Sequence, residues 1–268
     1  RVEFSDKPAN LLSWLFILLL PLMSVINYRF TTNGIGPFFY PWDTATLFFM
    51  CTGYLLCLKS KWIYFVPWVF LSTFNRESSL LLVLLIPALH WQQLRQVLKP
   101  ICFSLLAFIV ARIIVIALVY EHEGAFTELF YHEGLQTLFE RNYIWLFPQQ
   151  HIFVFAFCFA GLPLAWFAFY DYIPQRYRPI RFLALFYFIG LLMVGNEPEA
   201  RMYGEILILL YLPVCVAMMR WVSNIEPEPV KLNNIMAYMD RFAVIGILLA
   251  IIMCAPVINS LIIWRFSS

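Results

Sequence analysis

Asn75, Arg76 and Glu77 stand side by side in the stretch STFNRESSLLLVLL, with two apolar runs around them. A carboxylate of this kind takes a proton from a reacting hydroxyl. A guanidinium meets a phosphate with two parallel hydrogen bonds. Asp43 is a second acid, in FFYPWDTATLFF, where Pro41 and Trp42 mark an interfacial turn and Asp43 precedes a helix. Arg112 sits near the middle of the apolar run IVARIIVIALV. To reach the basic side it would have to bridge roughly 15 Å of helix rise, too far for one side chain. It must therefore be paired, hydrated or bound to an anion. Glu77 is a candidate partner. The stretch NEPEARMYGEILILLYLP adds Glu197, Glu199, Arg201 and Glu205. Arg201 and Glu205 are four residues apart and can pair on one helix face.

Each of these groups also has a purely structural reading. Asp43 can be the N-cap of its helix. Asn75 or Ser78 can cap the helix that follows them, and Glu77 can favour its positive end. Glu197 to Glu205 can be a capped, internally paired helix start. The functional readings rest on cost: an ionisable group at membrane depth faces the bundle interior and pairs.

The elements that position these groups are apolar helices. The chain of 268 residues is 62% hydrophobic and 13% charged. Soluble domains average about 45–50% and 25%. The runs are long and unbroken rather than short and alternating, which argues for a polytopic all-α bundle and against a β-barrel. The net charge of +2 says nothing about nucleic acid, but no basic patch is present and no nucleic-acid partner is expected. Nine apolar segments follow one another: Leu11–Tyr28, Thr44–Leu58, Trp62–Asn75, Ser78–Leu94, Ile101–Tyr120, His151–Tyr170, Phe182–Gly195, Gly204–Val222 and Phe242–Trp264. Trp62–Asn75 and Phe182–Gly195 are short for a full span of about 20 residues, as helices are where they line a cavity. We expect one integral-membrane domain over residues 1–268. The chain opens at Arg1 rather than Met, so an upstream segment is expected, and no cleavable signal peptide is evident.

Lys and Arg set the orientation. With the N-terminus in the cytoplasm, the inner loops hold 12 of the 18 cations and the outer loops 5, with Arg112 inside a span. Asp43, the Asn75–Glu77 turn, the 120–150 loop and the 196–205 acidic stretch then gather on the outer side. The 120–150 loop contains HEG twice, at His122-Glu123-Gly124 and His132-Glu133-Gly134. A spacing of ten turns the two histidines about 80° apart on a helix, so they do not share a face as metal ligands. The apolar positions Phe126, Leu129, Phe130, Leu135, Leu138 and Phe139 predict two short amphipathic helices lying in the interface. Cys51, Cys57, Cys102, Cys158, Cys215 and Cys254 lie in apolar runs and lack metal-ligand spacing. No cofactor and no metal is expected.

The Pro41-Trp42-Asp43 step into a helix, the Asn75-Arg76-Glu77 triad and the acidic-Arg start of a late helix resemble bacterial multispan proteins related to the GT-C glycosyltransferases. The resemblance covers Phe38 to Pro87, with an echo over Glu197–Pro213. It implies an enzyme at the outer face of the inner membrane, acting on a polyprenyl-phosphate-linked sugar. Asp43 and Glu77 are then the candidate bases. Asn75, Arg76, Arg112, Arg201 and Glu205 are candidates for holding the substrate and its phosphate. One departure stands out: the family usually carries its catalytic acid in a large first outer loop, and Arg29–Trp42 has only 14 residues. A degenerate, non-catalytic membrane subunit packed against a protein partner is therefore the alternative. A transporter, built on broken helices and membrane-depth charges, is the third. Membrane lipids are the common partner of all three.

Overall fold

The computed structural model describes residues 3–21, 41–119, 159–194 and 203–228, with a few positions between 235 and 246. Among these the structure is helical throughout, with no strand. In chain order the helices are α1 (Asp6–Pro21), α2 (Pro41–Leu58), α3 (Trp62–Asn75), α4 (Leu80–Leu89), α5 (Leu94–Val119), α6 (Leu162–Ala168), α7 (Ile180–Val194) and α8 (Gly204–Val222). Short 3-10 turns at Glu77–Ser79 and Trp91–Gln93 flank α4, and two more lie at Tyr170–Tyr172 and Gln175–Tyr177. The expected segments at Trp62–Asn75 and Gly204–Val222 coincide with α3 and α8. The HEG loop and most of the ninth segment lie outside the described residues.

Helix α4 is the hub. Its sequence, LLLVLLIPAL, is apolar on every side, and a helix of that kind has to be buried all round. Leu81, Leu82, Val83, Leu85, Ile86 and Leu89 are all buried. It packs against α2, α3, α5 and α7, while α8 joins through α2, α6 and α7. The turns between α2, α3, α4 and α5 are short, so successive helices run antiparallel as neighbours. Tyr211 of α8 donates to the Leu12 carbonyl at 2.7 Å and ties α1 to the bundle. Trp68 of α3 donates to the Phe49 carbonyl of α2 at 2.9 Å.

Besides an apolar core, the structure buries several polar side chains and exposes many large apolar ones. Thr46, Ser72, Thr73, Ser78, Ser79, Ser104, Arg181 and Glu205 are buried. Leu11, Trp14, Ile63, Phe103, Ile113 and Leu118 are exposed. Along the whole of α5 only Val97, Ser104 and Ala111 are buried. Among the described residues two helices are long and apolar enough to cross a membrane, Trp91–Val119 and Gly204–Val222. Helices α3 and α4 are shorter, with 14 and 10 residues.

One end of the bundle collects the basic loops. Gln92 reaches Gln175, and the His90 ring meets the Cys57 carbonyl, so the α2–α3, α4–α5 and α6–α7 connections lie together. There the Tyr170 ring is surrounded by Arg241, Arg178 and Arg181, at 4.0, 5.0 and 5.1 Å. Arg220 bridges the Tyr172 carbonyl and Glu228. Arg176 and Tyr177 both donate to Glu3 of the N-terminal segment. Burial pushes the Tyr177 phenol up to about 12, against the opposing pull of Arg176. Tyr177 therefore remains a donor throughout the physiological range. In the sequence these arginines read as topology signals alone; in the fold they also staple three loops and the N-terminus.

Gly53 of α2 lets α4 approach closely: a Cβ there would lie 2.6 Å from a methyl of the fully buried Leu82. Gly53→Ala gains roughly 0.5–1 kcal/mol of helix propensity but incurs an overpacking cost of about 1–3 kcal/mol. Thermal unfolding in detergent should show Gly53→Ala destabilising the natural chain. In a Leu82→Ala background, where the methyls are gone, the same change should stabilise. The same sign in both backgrounds would show that the helices are not in contact here.

Candidate functional site

The site is assembled at the other end of the bundle, around the α3–α4 turn. Helix α3 ends at Asn75, and Arg76 adopts an extended conformation, with φ −164° and ψ 145°. Arg76 alone is extended, between the end of α3 and the 3-10 turn that begins at Glu77; its guanidinium faces α8, and the Glu77 carboxylate faces α5. The Arg76 Nη1 atom lies 3.8 Å from Glu205 Oε1, and the carboxylate is 1% exposed. The hydroxyls of Ser78 and Tyr187 approach the same carboxylate. Asn75 donates to Thr46 Oγ1 of α2 at 2.7 Å. Thr73 and Ser79 close the turn with a hydroxyl–hydroxyl bond of 2.9 Å. Five helices thus converge on this turn: α2 through Thr46, α3, α4, α7 through Tyr187 and α8 through Glu205.

Glu77 points the other way and meets α5. Its Oε2 lies 3.8 Å from Arg112 Nη1, with the two side chains 65% and 27% exposed. The pairing expected from the sequence is present, but it forms at an accessible edge of the bundle rather than across a closed core. On the inward side of the turn lies a cleft of about 10 Å³, lined by Thr46, Phe49, Met50, Ser72, Asn75, Arg76, Ser78 and Ser79. It has room for about one water molecule and is too small for a sugar.

Several expectations change at this point. Asp43 does not precede its helix: α2 begins at Pro41, which puts Asp43 in the first turn, where an acid favours the positive end. Its side chain, and the whole of Arg201, lie outside the described residues. Neither the Glu77–Ser79 turn nor α4 carries a side-chain capping bond at its start. Asn75 is instead directed to Thr46. Glu205 was expected to pair with Arg201; its described cation is Arg76, distant in the sequence. Arg76 and Glu205 face each other, with Glu205 buried and Arg76 partly exposed at the cleft. Of the candidate residues, Glu77 and Arg112 are the pair brought together at an accessible position.

Thr46, Ser78 and Tyr187 were not singled out from the sequence. The signal for Tyr187 was a hydroxyl alone in the apolar run LALFYFIGLL, and a buried hydroxyl needs a partner. Nothing local to Thr46 distinguishes it from other helical threonines. Among the described residues no group of three or more His, Cys, Asp or Glu side chains gathers as a metal site would require. Cys51, Cys57, Cys102 and Cys215 are free thiols.

No family model, no curated protein and no solved structure matches the chain.

The Arg76–Glu205 pair makes a defined prediction. Removing one member of a buried pair typically costs about 3–5 kcal/mol, whereas replacing both by apolar groups of similar size is near neutral. Arg76→Met alone should lower unfolding free energy by about 3 kcal/mol in a denaturant titration in micelles. Arg76→Met with Glu205→Met should recover most of that loss. A double variant whose loss equals the sum of the two single losses would show that the residues do not interact.

Proposed function

We propose that the chain is a polytopic membrane protein whose basic end faces the cytoplasm and whose Asn75-Arg76-Glu77 turn is directed outward. The many large apolar side chains on its outside support the membrane reading, because exposed apolar area of this extent is unfavourable in water. The gathering of Lys59, Lys61, Arg176, Arg178, Arg181 and Arg220 around the connections of one end supports the orientation.

Within that frame the function the geometry supports best is a GT-C-like glycosyltransferase, acting at the outer face of a bacterial inner membrane on a polyprenyl-phosphate-linked sugar. The observation that carries it is the accessible Glu77 carboxylate beside the Arg112 guanidinium. Glu77 takes the proton of an acceptor hydroxyl as its oxygen attacks the anomeric carbon. The bond from that carbon to the phosphate oxygen breaks, and the polyprenyl phosphate leaves with the electron pair. Arg112 meets the charge that develops on it. Asn75, Arg76 and Glu205 hold the turn in place. Asp43 and Arg201 remain candidates as second acid and second phosphate donor.

A second reading is a non-catalytic membrane subunit. The specific observation in its favour is that each described charge of the turn already has a protein partner, beside a cleft too small for a sugar. Transfer activity distinguishes the two. Protein reconstituted with a polyprenyl-phosphate-linked hexose should release polyprenyl phosphate in the presence of hydroxyl acceptors. Glu77→Gln should lower the rate about 10²–10⁴-fold, the range for loss of a general base, while insertion and melting are unchanged. Undiminished transfer by Glu77→Gln would refute the assignment of the base. Absence of transfer from the natural chain, together with co-purification of a stoichiometric membrane partner, would favour the subunit.

A further inference from the structure

Two independent rulers place the α3–α4 turn below the far surface of the apolar layer. Helix α3 begins at Trp62, directly after Lys61 at the basic end, and its 14 residues rise about 21 Å. A hydrocarbon core of about 30 Å leaves the turn roughly 9 Å short. The second ruler is the return leg: the Glu77–Ser79 turn and α4, ending at Leu89 beside the basic end, together rise roughly 20 Å. Both legs leave the charged turn inside the layer, while α5 continues past Arg112 at least to Val119.

The exposure of the pair then becomes informative. Glu77 is 65% exposed and Arg112 27%. Charges at this depth are not left open to hydrocarbon, because solvating them there is too costly. The neighbouring Ile113, on the same level of α5, is 60% exposed and is the kind of side chain lipid accepts.

We infer that α3 and α4 form a re-entrant hairpin, entering and leaving on the basic side, and that its turn is the floor of a water-filled recess open to the outer side. The recess is a site for a small polar, hydroxyl-bearing group that reaches Glu77 and Arg112 from the outer aqueous phase. This rests on the membrane reading and orientation above but not on transferase chemistry. It replaces two of the nine expected spans by one hairpin without reversing the sidedness of the others.

Cysteine accessibility tests it. The six natural cysteines are replaced, and single cysteines are introduced as Glu77→Cys, Ile113→Cys and, in the 120–150 loop, Ala125→Cys. Sealed vesicles of known orientation are treated with a small cationic methanethiosulfonate or with a bulky impermeant maleimide. The cysteine at 77 should react with the small reagent from the outer side, about a hundredfold faster than the one at 113. The bulky maleimide should modify position 125 readily and position 77 poorly. If both reagents modify 77 as readily as 125, the turn is at the surface and α3 and α4 are ordinary spans. Reaction of 77 from the inner side alone, or no faster than 113, would equally overturn the recess. Should Glu77→Cys fail to insert, Asn75→Cys, half-buried at the same turn, carries the same outcomes. Outer labelling of 77 in a chain without transfer activity would keep the recess and reject the enzyme.

Discussion

A carboxylate that is 1% exposed at the head of an apolar helix sets the main constraint on this fold. Glu205 has to be met by a cation, since an unpaired buried charge is among the most costly features a protein can carry. Arg76 meets it, and in doing so fixes where the α3–α4 turn sits against α8. Arg76 faces α8 and Glu77 faces α5, which supplies Arg112 at that position. One ion pair is structural, and its neighbour in sequence is left where chemistry is accessible.

Buried serines, threonines and Glu205 share the interior with a large apolar core, and further leucines, isoleucines and aromatics cover the outside. Helix α4, apolar on all sides, is mostly buried, with Leu84 exposed, and anchors the arrangement. Close contact between α2 and α4 depends on Gly53, which leaves room for Leu82. At the basic end, cohesion comes from guanidinium groups stacked on Tyr170 and bonded to loop carbonyls.

Functionally, the arrangement concentrates the question on two residues. Arg76 and Glu205, attractive in the sequence as substrate ligands, face each other. Glu77 and Arg112 place an acid and a cation side by side, accessible at the end of the bundle away from the basic loops.

From the sequence alone the helical class, most helix positions and the Glu77–Arg112 pairing were legible, because each follows from local rules. Apolar run length sets helices, and an arginine stranded mid-span has to find an acid. The recruitment of Glu205 by Arg76, of Asn75 by Thr46, and of Tyr187 to the same carboxylate was not legible. These contacts join segments far apart in the chain, and the closer Arg201 offered Glu205 a local i, i+4 solution. Which of two adjacent charges faces inward was likewise undetermined, since it depends on how the helices on either side pack. Composition determined that charge at this turn needed partners; only the packing of α2, α3, α5, α7 and α8 decided which partner each charge received and which pair was left accessible.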